Sequence, residues 1–280
     1  KKYGCRLIFE VRDIWPLTII EEGGFHKRNP FVIFLGLVER LGYKKADVIV
    51  GTMPNLQTHV EEVLGEKKQT FCIPMGVDNS QIEANFEINA DYREKYFPKN
   101  KTIFAYVGTV GITNALDCFF ECAVLLQNNK GVHFLIVGDG DLLEYYIQKT
   151  KNLCNVTFAP KVPKEFVPSV LAHCSVLYFS TFPSKVWEYG QSLNKVIDYM
   201  LSGKPIICSY SGFPSMINEA ECGLFVPAGN VTKLREAILY YESIAQIERD
   251  KIGIKGRKWV IENRNFPKLA QDYLSIMFPS

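Results

Sequence analysis

The sequence lacks the marks of several protein classes. Its eight cysteines form no C-x-x-C pair, so neither a zinc ribbon nor a dithiol redox centre is expected. Its four histidines are widely spaced and form no H-E-x-x-H motif, and no histidine-built metal site is predicted. Lysine and arginine (32) barely outnumber aspartate and glutamate (30), which does not favour a nucleic-acid binder. We therefore expect reduced, buried cysteines in a cytoplasmic protein without a catalytic metal or a nucleic-acid partner.

Long apolar runs are also lacking. The longest extends from Phe31 to Val38, far short of the roughly 20 residues that a membrane-spanning helix needs. The first residue is Lys1 rather than Met, and no signal-like segment follows it. We therefore expect the chain to begin inside a longer protein and to cross no membrane.

Basic residues flank this apolar run, namely Lys27, Arg28, Arg40, Lys44 and Lys45. Such a helix can rest on an anionic membrane surface, with its basic ends near the lipid headgroups. It can equally be a core helix whose lysines extend to solvent, and this second arrangement is the more common one. The core interpretation is therefore favoured.

What the sequence does contain is an alternation of short apolar runs with longer amphipathic stretches. This pattern predicts an α/β protein with parallel sheets covered on both faces. The predicted strands are Leu7–Val11, Val48–Gly51, Thr70–Ile73, Thr102–Val107, Val132–Val137, Val156–Phe158, Val176–Phe179, Pro205–Cys208 and Leu224–Phe225. The predicted helices are Phe31–Lys45, Leu116–Asn128, Asp141–Asn152, Glu165–Ala172, Asn194–Leu201 and Thr232–Glu242.

The alternation is interrupted between Gly76 and Lys101, where polar residues dominate and a domain linker is predicted. Six strands follow the linker, enough for a doubly wound domain, and only three precede it. The first domain is therefore expected to be incomplete at its N-terminus. The predicted boundaries are 1–84 for the first domain, 85–262 for the second, and 263–280 for a terminal amphipathic helix that could pack back on the first domain.

Two predicted strands end in glycine-rich turns, Gly108–Gly111 and Gly138–Asp141. Glycines at such a turn let backbone amides approach a phosphate, especially when a helix follows, as expected here near Asn114. An ordinary tight turn explains Gly108–Gly111 equally well. In the second turn Asp141 is predicted to be the N-cap of the next helix.

The segment Trp187–Met200 is the richest in candidate chemistry. It opens a predicted helix that Ser192 or Asn194 is expected to cap. Lys195 lies in the first turn, where the helix dipole favours anions over cations, so a bound diphosphate would account for it. Asp198 lies one turn further on and could accept hydrogen bonds from a ribose diol; the alternative is a surface ion pair with Lys195.

Seven segments of the sequence resemble, in the same order, those of family 4 glycosyltransferases. They are Glu10–Pro16, Lys44–Val50, Ile73–Asp78, Gly108–Gly111, Val137–Gly140, Ser192–Pro205 and Glu219–Gly223. The sequence is most similar to the bacterial branch that builds surface polysaccharides such as capsule or O-antigen, through its S-x-N-K-x-x-D-Y-M motif.

This resemblance implies a GT-B enzyme, with two Rossmann-like doubly wound domains facing across a cleft. Such an enzyme would move a sugar from a nucleotide-sugar, expected to be a UDP-sugar, to a hydroxyl of a lipid-linked or polysaccharide acceptor with retention of configuration. It would need no metal and no cofactor, because the nucleotide-sugar is a substrate. The implied location is cytoplasmic, with a peripheral position at the inner face of the plasma membrane left open.

The resemblance also implies roles for individual residues. Donor contacts are expected from Thr109, Val110, Gly111, Gly138, Val162, Ser192, Asn194, Lys195 and Asp198. Arg12 and Asp13 fall where relatives keep a catalytic pair; Arg12 would steady the leaving diphosphate and Asp13 would orient the acceptor hydroxyl. A structural role for both is equally compatible.

The sequence departs from the family at two places. Of two glutamates separated by seven residues, the second is Asp198 and the first is replaced by Gly190, so Glu188 is the suggested catalytic substitute. The basic pair that follows the first glycine turn is replaced by Thr113 and Asn114. The missing charge is expected from Lys195, helped by the amides around Val110 and Gly111 and by Lys185.

Two other functions stay open from the sequence. One is a non-catalytic GT-B module that binds nucleotide-sugars, or a fragment that needs a partner chain. The other is a UDP-sugar epimerase, which shares the two-domain plan but needs extra acid-base residues in the cleft, and the few histidines disfavour it.

Overall fold

The short apolar runs form two separate parallel sheets in a computed structural model that describes residues 4–78, 80, 82 and 86–279. The first sheet has the order β1-β2-β3, with strands Ile8–Val11, Val48–Gly51 and Thr70–Cys72. The second has the order β6-β5-β4-β7-β8-β9. Its strands β4 to β9 are Thr102–Val107, Val132–Val137, Val156–Ala159, Val176–Ser180, Ile206–Ser209 and Gly223–Val226. All nine predicted strands are therefore present, with ends that differ by at most one residue.

Helices connect the strands, as right-handed parallel connections require. Those described, α1 to α12, are Leu17–Glu21, Pro30–Lys45, Leu56–Leu64, Ala90–Tyr96, Asp117–Leu125, Leu143–Thr150, Val167–Ala172, Asn194–Leu201, Met216–Glu219, Val231–Ser243, Gln246–Asn263 and Phe266–Met277. Three short 3₁₀ helices span Ile112–Asn114, Lys164–Phe166 and Lys185–Tyr189. Within the described residues no helix combines the length and the apolar character needed to cross a bilayer.

The second sheet is buried on both faces. Side chains alternate along each strand, and each of the two sets packs into a separate apolar cluster. Phe104, Tyr106 and Phe134 point to the cluster beneath α5, α6 and α10. Ala105 and Leu135 point to the opposite cluster, beneath α7, α8 and α11. The two clusters explain why continuous apolar runs, rather than an alternating pattern, marked these strands. We call this sheet with α4–α11 the second unit.

The first unit consists of β1–β3 with α1–α3, and its core is smaller. The terminal helix α12 reaches this unit: Ile276 packs beside Val48 and Val50, and Tyr273 donates a hydrogen bond to Glu10 at 3.4 Å. The predicted linker residues Asn79, Gln81, Glu83 and Asn85, and the predicted boundary between 84 and 85, lie outside the described residues, as do 1–3 and 280.

The predicted set of helices is incomplete, since α1, α3, α4, α9 and α11 are absent from it, and α4 lies inside the predicted linker. In α11, Gly253 and Gly256 interrupt the pattern; both glycines are buried, Gly253 against the backbone of Gly203 and Gly256 against Cys222. The cysteines are not all buried either. Cys122, Cys174, Cys208 and Cys222 are buried, but Cys5, Cys72 and Cys154 are exposed.

The core interpretation of the apolar run Phe31–Val38 is also wrong for most of helix α2. Only Val32, Glu39 and Tyr43 of this helix are buried. Its exposed apolar side chains are Phe31, Ile33, Phe34, Leu37, Val38 and Leu41, with Leu37 64% and Phe34 59% exposed. The helix therefore presents a broad apolar surface rather than a core stripe.

Candidate functional site

The strand order of the second sheet locates the candidate site. The chain reverses its winding direction between β4 and β7, and ligands of such sheets bind in the crevice outside the carboxyl ends of the strands at this point. Helix α8 lies over the crevice. Its Tyr199 hydroxyl accepts a hydrogen bond from the Val107 amide at 2.9 Å and lies 3.3 Å from the Tyr178 carbonyl, so it joins β4 to β7.

The two glycine turns pack against each other at this edge. A Cβ on Gly138 would lie 1.9 Å from the Gly108 carbonyl oxygen, so only glycine fits there. The Val110 amide donates to the Asp139 carbonyl at 2.9 Å, and Val110 in turn accepts from the Leu142 amide at 3.0 Å. The predicted role of the Val110 amide at a phosphate is therefore wrong, because that amide already has a partner.

The amides of Thr109 and Gly111 differ from that of Val110. Neither donates a hydrogen bond to another group within the part of the chain that the structure describes. The expected helix near Asn114 is only the 3₁₀ turn Ile112–Asn114, and α5 begins at Asp117. Asp141 is not an N-cap, because Leu142 occupies the cap position of α6.

Lys195 is the central group of the site. Its ammonium donates to the Tyr106 hydroxyl at 2.6 Å and to the Asn114 side-chain oxygen at 3.3 Å, and it lies 4.0 Å from the centre of the Tyr106 ring. Gly108 leaves room for it, since a Cβ there would lie 3.0 Å from the ammonium nitrogen. Burial lowers the pKa of Lys195 to about 7. The side chain is half-buried, no ion pair neutralises this cation within the described residues, and a charge partly removed from water without a partner is costly.

The start of α8 has no side-chain cap. The N-cap position is Leu193, which has no suitable acceptor. The predicted cap Ser192 lies one residue too early, and its hydroxyl accepts instead from the Met75 amide at 2.8 Å. Asn194 is already the first helical residue. The capping prediction is therefore wrong. The amides of Val196 and Ile197 donate to the Leu193 carbonyl, and no side chain caps the helix start.

Asp198 faces a different neighbourhood from Lys195. It lines a cavity of about 710 Å³ together with Lys164, Val167 and Arg257. Burial raises the pKa of its carboxyl, and the charge of Lys164 opposes that shift. No ion pair joins Asp198 to Lys195 in the described chain, so the surface-pair alternative is wrong.

A second cavity, of about 550 Å³, lies beside the first. Its lining includes Thr109, Gly138 and Val162, which the sequence analysis predicted, together with the ion pair of Asp139 and Lys161 at 2.9 Å. Val167 lines both cavities. The structure thus places Thr109, Gly138 and Val162 together and Asp198 in the adjoining space.

The predicted catalytic residues lie on exposed surface. Arg12 is 3.9 Å from the Glu10 carboxylate, and its guanidinium is 3.9 Å from the Met75 sulfur. Met75 therefore connects Arg12 to Ser192 at the start of α8. Asp13 is exposed. Burial raises the pKa of the Glu22 carboxyl, and the charge of Asp13 adds to that rise. The Glu188 side chain is exposed, while its carbonyl accepts from Asn55 at 3.0 Å.

Lys185, expected to help Lys195, pairs instead with Glu62 of the first unit at 3.2 Å. Sequence reasoning missed Tyr106 and Met75, whose roles follow from contacts with residues distant in sequence. Asn114 was noted only as a departure from the family pattern. Among the described residues, no three or more His, Cys, Asp or Glu side chains are grouped so that they could hold a metal ion.

The strand order defines an α/β protein with a crevice at its topological switch point, and Lys195 brings a positive charge to that crevice. Residues 101–242, or 142 of 280, match the family model of the glycosyl transferases group 1. The chain belongs to this family.

Individual relatives agree with that assignment. An alpha-D-kanosaminyltransferase of Streptomyces kanamyceticus is 24% identical over 154 residues, which are 53% of this chain and 38% of that protein. Sucrose-phosphate synthase of Thermosynechococcus elongatus has a similar structure, with a TM-score of 0.70 and 19% identity over 96% of this chain and 66% of that one. The structure of Anabaena HepE in complex with UDP and glucose gives a TM-score of 0.71 and 14% identity. The match covers 97% of this chain and 71% of that one. The predicted fold class, GT-B with two Rossmann-like domains, is confirmed, while the chain spans only 38% of the curated relative.

Proposed function

We propose that the chain is the donor-binding part of a retaining, metal-independent glycosyltransferase of family 4 that uses a UDP-sugar. The observation that carries this proposal is Lys195, a half-buried ammonium with hydroxyl, amide and aromatic neighbours and, among the described residues, no carboxylate partner. A diphosphate supplies the missing negative charge. The uncapped start of α8 and the amides of Thr109 and Gly111 offer additional hydrogen-bond donors to the same anion.

The adjoining cavities fit the rest of a nucleotide. Asp198 is a half-buried carboxylate next to Val167 and can accept hydrogen bonds from the ribose diol. The cavity lined by Gly138 and Val162 is open beside it and suits the base. The Anabaena relative was solved with UDP and glucose, which supports uridine as the nucleoside proposed here.

In the proposed reaction the bond between the sugar and the diphosphate breaks, the acceptor hydroxyl oxygen bonds to the sugar on the same face, and the hydroxyl proton passes to the leaving diphosphate. Such a transfer depends chiefly on positioning and on stabilising the leaving group. Lys195 and the amides around it would stabilise the diphosphate. Arg12 and Asp13 would act from the first unit, Arg12 on the diphosphate and Asp13 on the hydroxyl, with Glu188 as a further candidate.

The proposed acceptor is a lipid-linked or polysaccharide hydroxyl of a surface-polysaccharide pathway, reached from the inner face of the plasma membrane. Helix α2 supports a peripheral contact with lipid, because its exposed Phe34 and Leu37 are accompanied by the exposed basic residues Arg40, Lys44 and Lys45. Apolar and basic side chains on one helix suit an anionic bilayer surface.

Vesicle flotation tests this contact. The wild-type chain should float with phosphatidylcholine vesicles that contain phosphatidylglycerol and less with phosphatidylcholine alone. Leu37→Glu should abolish flotation, whereas Leu125→Glu, which changes an equally exposed leucine on α5, should not. Equal flotation of the two variants would remove helix α2 from the proposal.

Thermal unfolding with a panel of UDP-, GDP- and dTDP-sugars tests the main proposal. At about 100 times its Kd, UDP should stabilise the chain by about 2.7 kcal/mol, a shift of several degrees in Tm. UDP-sugars and UDP should raise the Tm, with and without EDTA, and a productive donor should release UDP when an acceptor is added. No shift with any nucleotide would overturn the proposal, and binding without transfer or hydrolysis would favour the non-catalytic module.

A further inference from the structure

The segment Lys185–Ser192, which we call the lead-in segment, precedes helix α8 but is anchored in the first unit. Its Tyr189 side chain is 1% exposed and belongs to the apolar core formed by Val11, Ile14, Leu56 and Val60. The ring also lies edge-on to buried His59, with 4.9 Å between the ring centres. One residue of the donor-side connection is thus a core residue of the other unit.

Polar contacts hold the same segment. The Tyr189 hydroxyl donates to the Glu62 carboxylate at 2.8 Å, and the carboxylate also pairs with Lys185 at 3.2 Å. The Asn55 amide donates to the Tyr189 carbonyl, and the Asn55 side chain donates to the Glu188 carbonyl, both at 3.0 Å. At the other end, Ser192 accepts from Met75 at 2.8 Å. Contacts from the first unit therefore fix the segment at Tyr189 and Glu188, and the Met75 amide, in the segment that follows β3, fixes its end at the start of α8.

Gly190 shows how closely the two units meet. Its φ of +99° is one that other residues rarely adopt, and a Cβ there would lie 2.5 Å from two ring carbons of Pro54. The family resemblance placed a glutamate at this position. A side chain of any kind would push the lead-in segment away from the first unit. The close contact with Pro54 is therefore incompatible with a glutamate at this position.

The segment keeps this conformation at a cost. Gln191 is 6% exposed, and neither atom of its side-chain amide has a hydrogen-bond partner in the described chain. The Trp187 indole nitrogen is likewise buried without one. Unpaired buried polar groups disfavour the conformation that holds them. Contacts from both units offset this cost. The first unit holds Tyr189. In the second unit the Trp187 carbonyl accepts from the Phe213 amide at 2.8 Å and from the Tyr210 hydroxyl at 3.1 Å. Of these contacts, those of Tyr189 lie nearest to α8 along the chain.

We infer that the first unit positions Lys195 for the donor diphosphate through the lead-in segment, with Tyr189 as the positioning residue. Lys195 comes three residues after Ser192, and α8 has no side-chain cap of its own to define its start. Releasing Tyr189 lets the segment relax and moves the α8 start relative to Tyr106 and Gly108. The inference rests on the proposed function, because it concerns the binding of that donor.

The test compares two tyrosines of the same core. Tyr189→Phe removes the hydroxyl that binds Glu62 and keeps the ring. The matched control is Tyr43→Phe, which removes a buried hydroxyl that binds Glu39 at 3.1 Å in the same core but does not touch the lead-in segment. UDP affinity is measured by calorimetry well below the Tm of each variant. Tyr189→Phe should raise the Kd about fivefold or more, and Tyr43→Phe should leave it at the wild-type value.

A double-mutant cycle separates positioning from general destabilisation. In a Lys195→Ala background, Tyr189→Phe should have no further effect on the Kd, because the group that it positions is gone. Asn55→Ala, which removes the side-chain hydrogen bond to the Glu188 carbonyl, should show the same pattern. Additive effects, or equal effects of Tyr189→Phe and Tyr43→Phe, would overturn the inference while wild-type UDP binding still supports the proposed function. A wild-type chain that does not bind UDP would instead overturn the proposed function.

Discussion

The carboxyl edges of the two sheets carry candidate site residues in opposite environments. At the second sheet, Lys195 is half-buried among Tyr106, Asn114 and Gly108 without a neutralising carboxylate among the described residues. At the first sheet, Arg12 and Glu10 are exposed and 3.9 Å apart. An exposed ion pair is solvated and contributes about 0–1 kcal/mol, whereas a cation partly removed from water is stabilised by an anion that offsets its desolvation. The second edge therefore suits a small anion, as proposed for the donor diphosphate, and the first edge is open to solvent.

Replacing Lys195 should have the largest effect on UDP binding. Lys195→Ala should weaken UDP binding about 10- to 150-fold, since a hydrogen bond to a charged group contributes about 1.5–3 kcal/mol. Calorimetry with UDP measures the change. Lys233→Ala, which breaks an exposed pair with Glu236 at 2.7 Å, is the control and should leave the Kd unchanged. Wild-type affinity in the Lys195 variant would remove the contrast between the two edges.

The pH dependence should follow from the same lysine. Burial lowers the pKa of Lys195 to about 7 from an ordinary value of 10.5. Between these values the unfolded chain binds more protons than the folded chain, so this group makes the free energy of unfolding of the ligand-free protein rise with pH. UDP binding should weaken over the same range, because the neutral amine attracts phosphate less.

Urea unfolding and calorimetry at about pH 6 and about pH 9 check both trends. Lys195→Met should flatten them, since methionine fills similar space without a charge. Because the terminal phosphate of UDP also ionises at about pH 6, the measured quantity is the ratio of the wild-type Kd to the Lys195→Met Kd. An equal ratio at both pH values would contradict the predicted change in the charge of Lys195.

Alanine substitutions of Gly108 and Gly138 should affect different properties at the same edge, chiefly UDP binding for Gly108 and chiefly stability for Gly138. In Gly108→Ala the new Cβ meets the flexible end of Lys195 at 2.9 Å, and the φ of +147° strains any side chain, so the UDP Kd should rise about fivefold with a small fall in Tm. In Gly138→Ala the Cβ meets the Gly108 carbonyl at 1.9 Å, and backbone cannot yield cheaply, so the Tm should fall by several degrees. Equal losses of Tm in the two variants would contradict this division.

The two edges were also unequally predictable from the sequence. The strands and the bounds of α8 were predictable because apolar runs and turn residues are local signals. The partners of Lys195 were not, since Tyr106 and Asn114 lie 89 and 81 positions away along the chain. The caps failed for a similar reason: Ser192 has the right chemistry, but its hydroxyl is used by Met75. Nothing local marks Tyr189 as a core residue of the first unit.

The exposed edge should give the smallest effect on donor binding. Arg12→Ala and Asp13→Asn should change the UDP Kd by less than about threefold, because an exposed charge in water adds little to affinity. Their Tm should stay at the wild-type value for the same reason. Both should lower UDP release from a productive UDP-sugar in the presence of acceptor, because Arg12 would steady the diphosphate as the bond breaks and Asp13 would orient the hydroxyl. A finding that Arg12→Ala weakens UDP binding as much as Lys195→Ala does would place the first edge in the ground-state donor site. It would contradict the contrast between the half-buried Lys195 and the exposed Arg12.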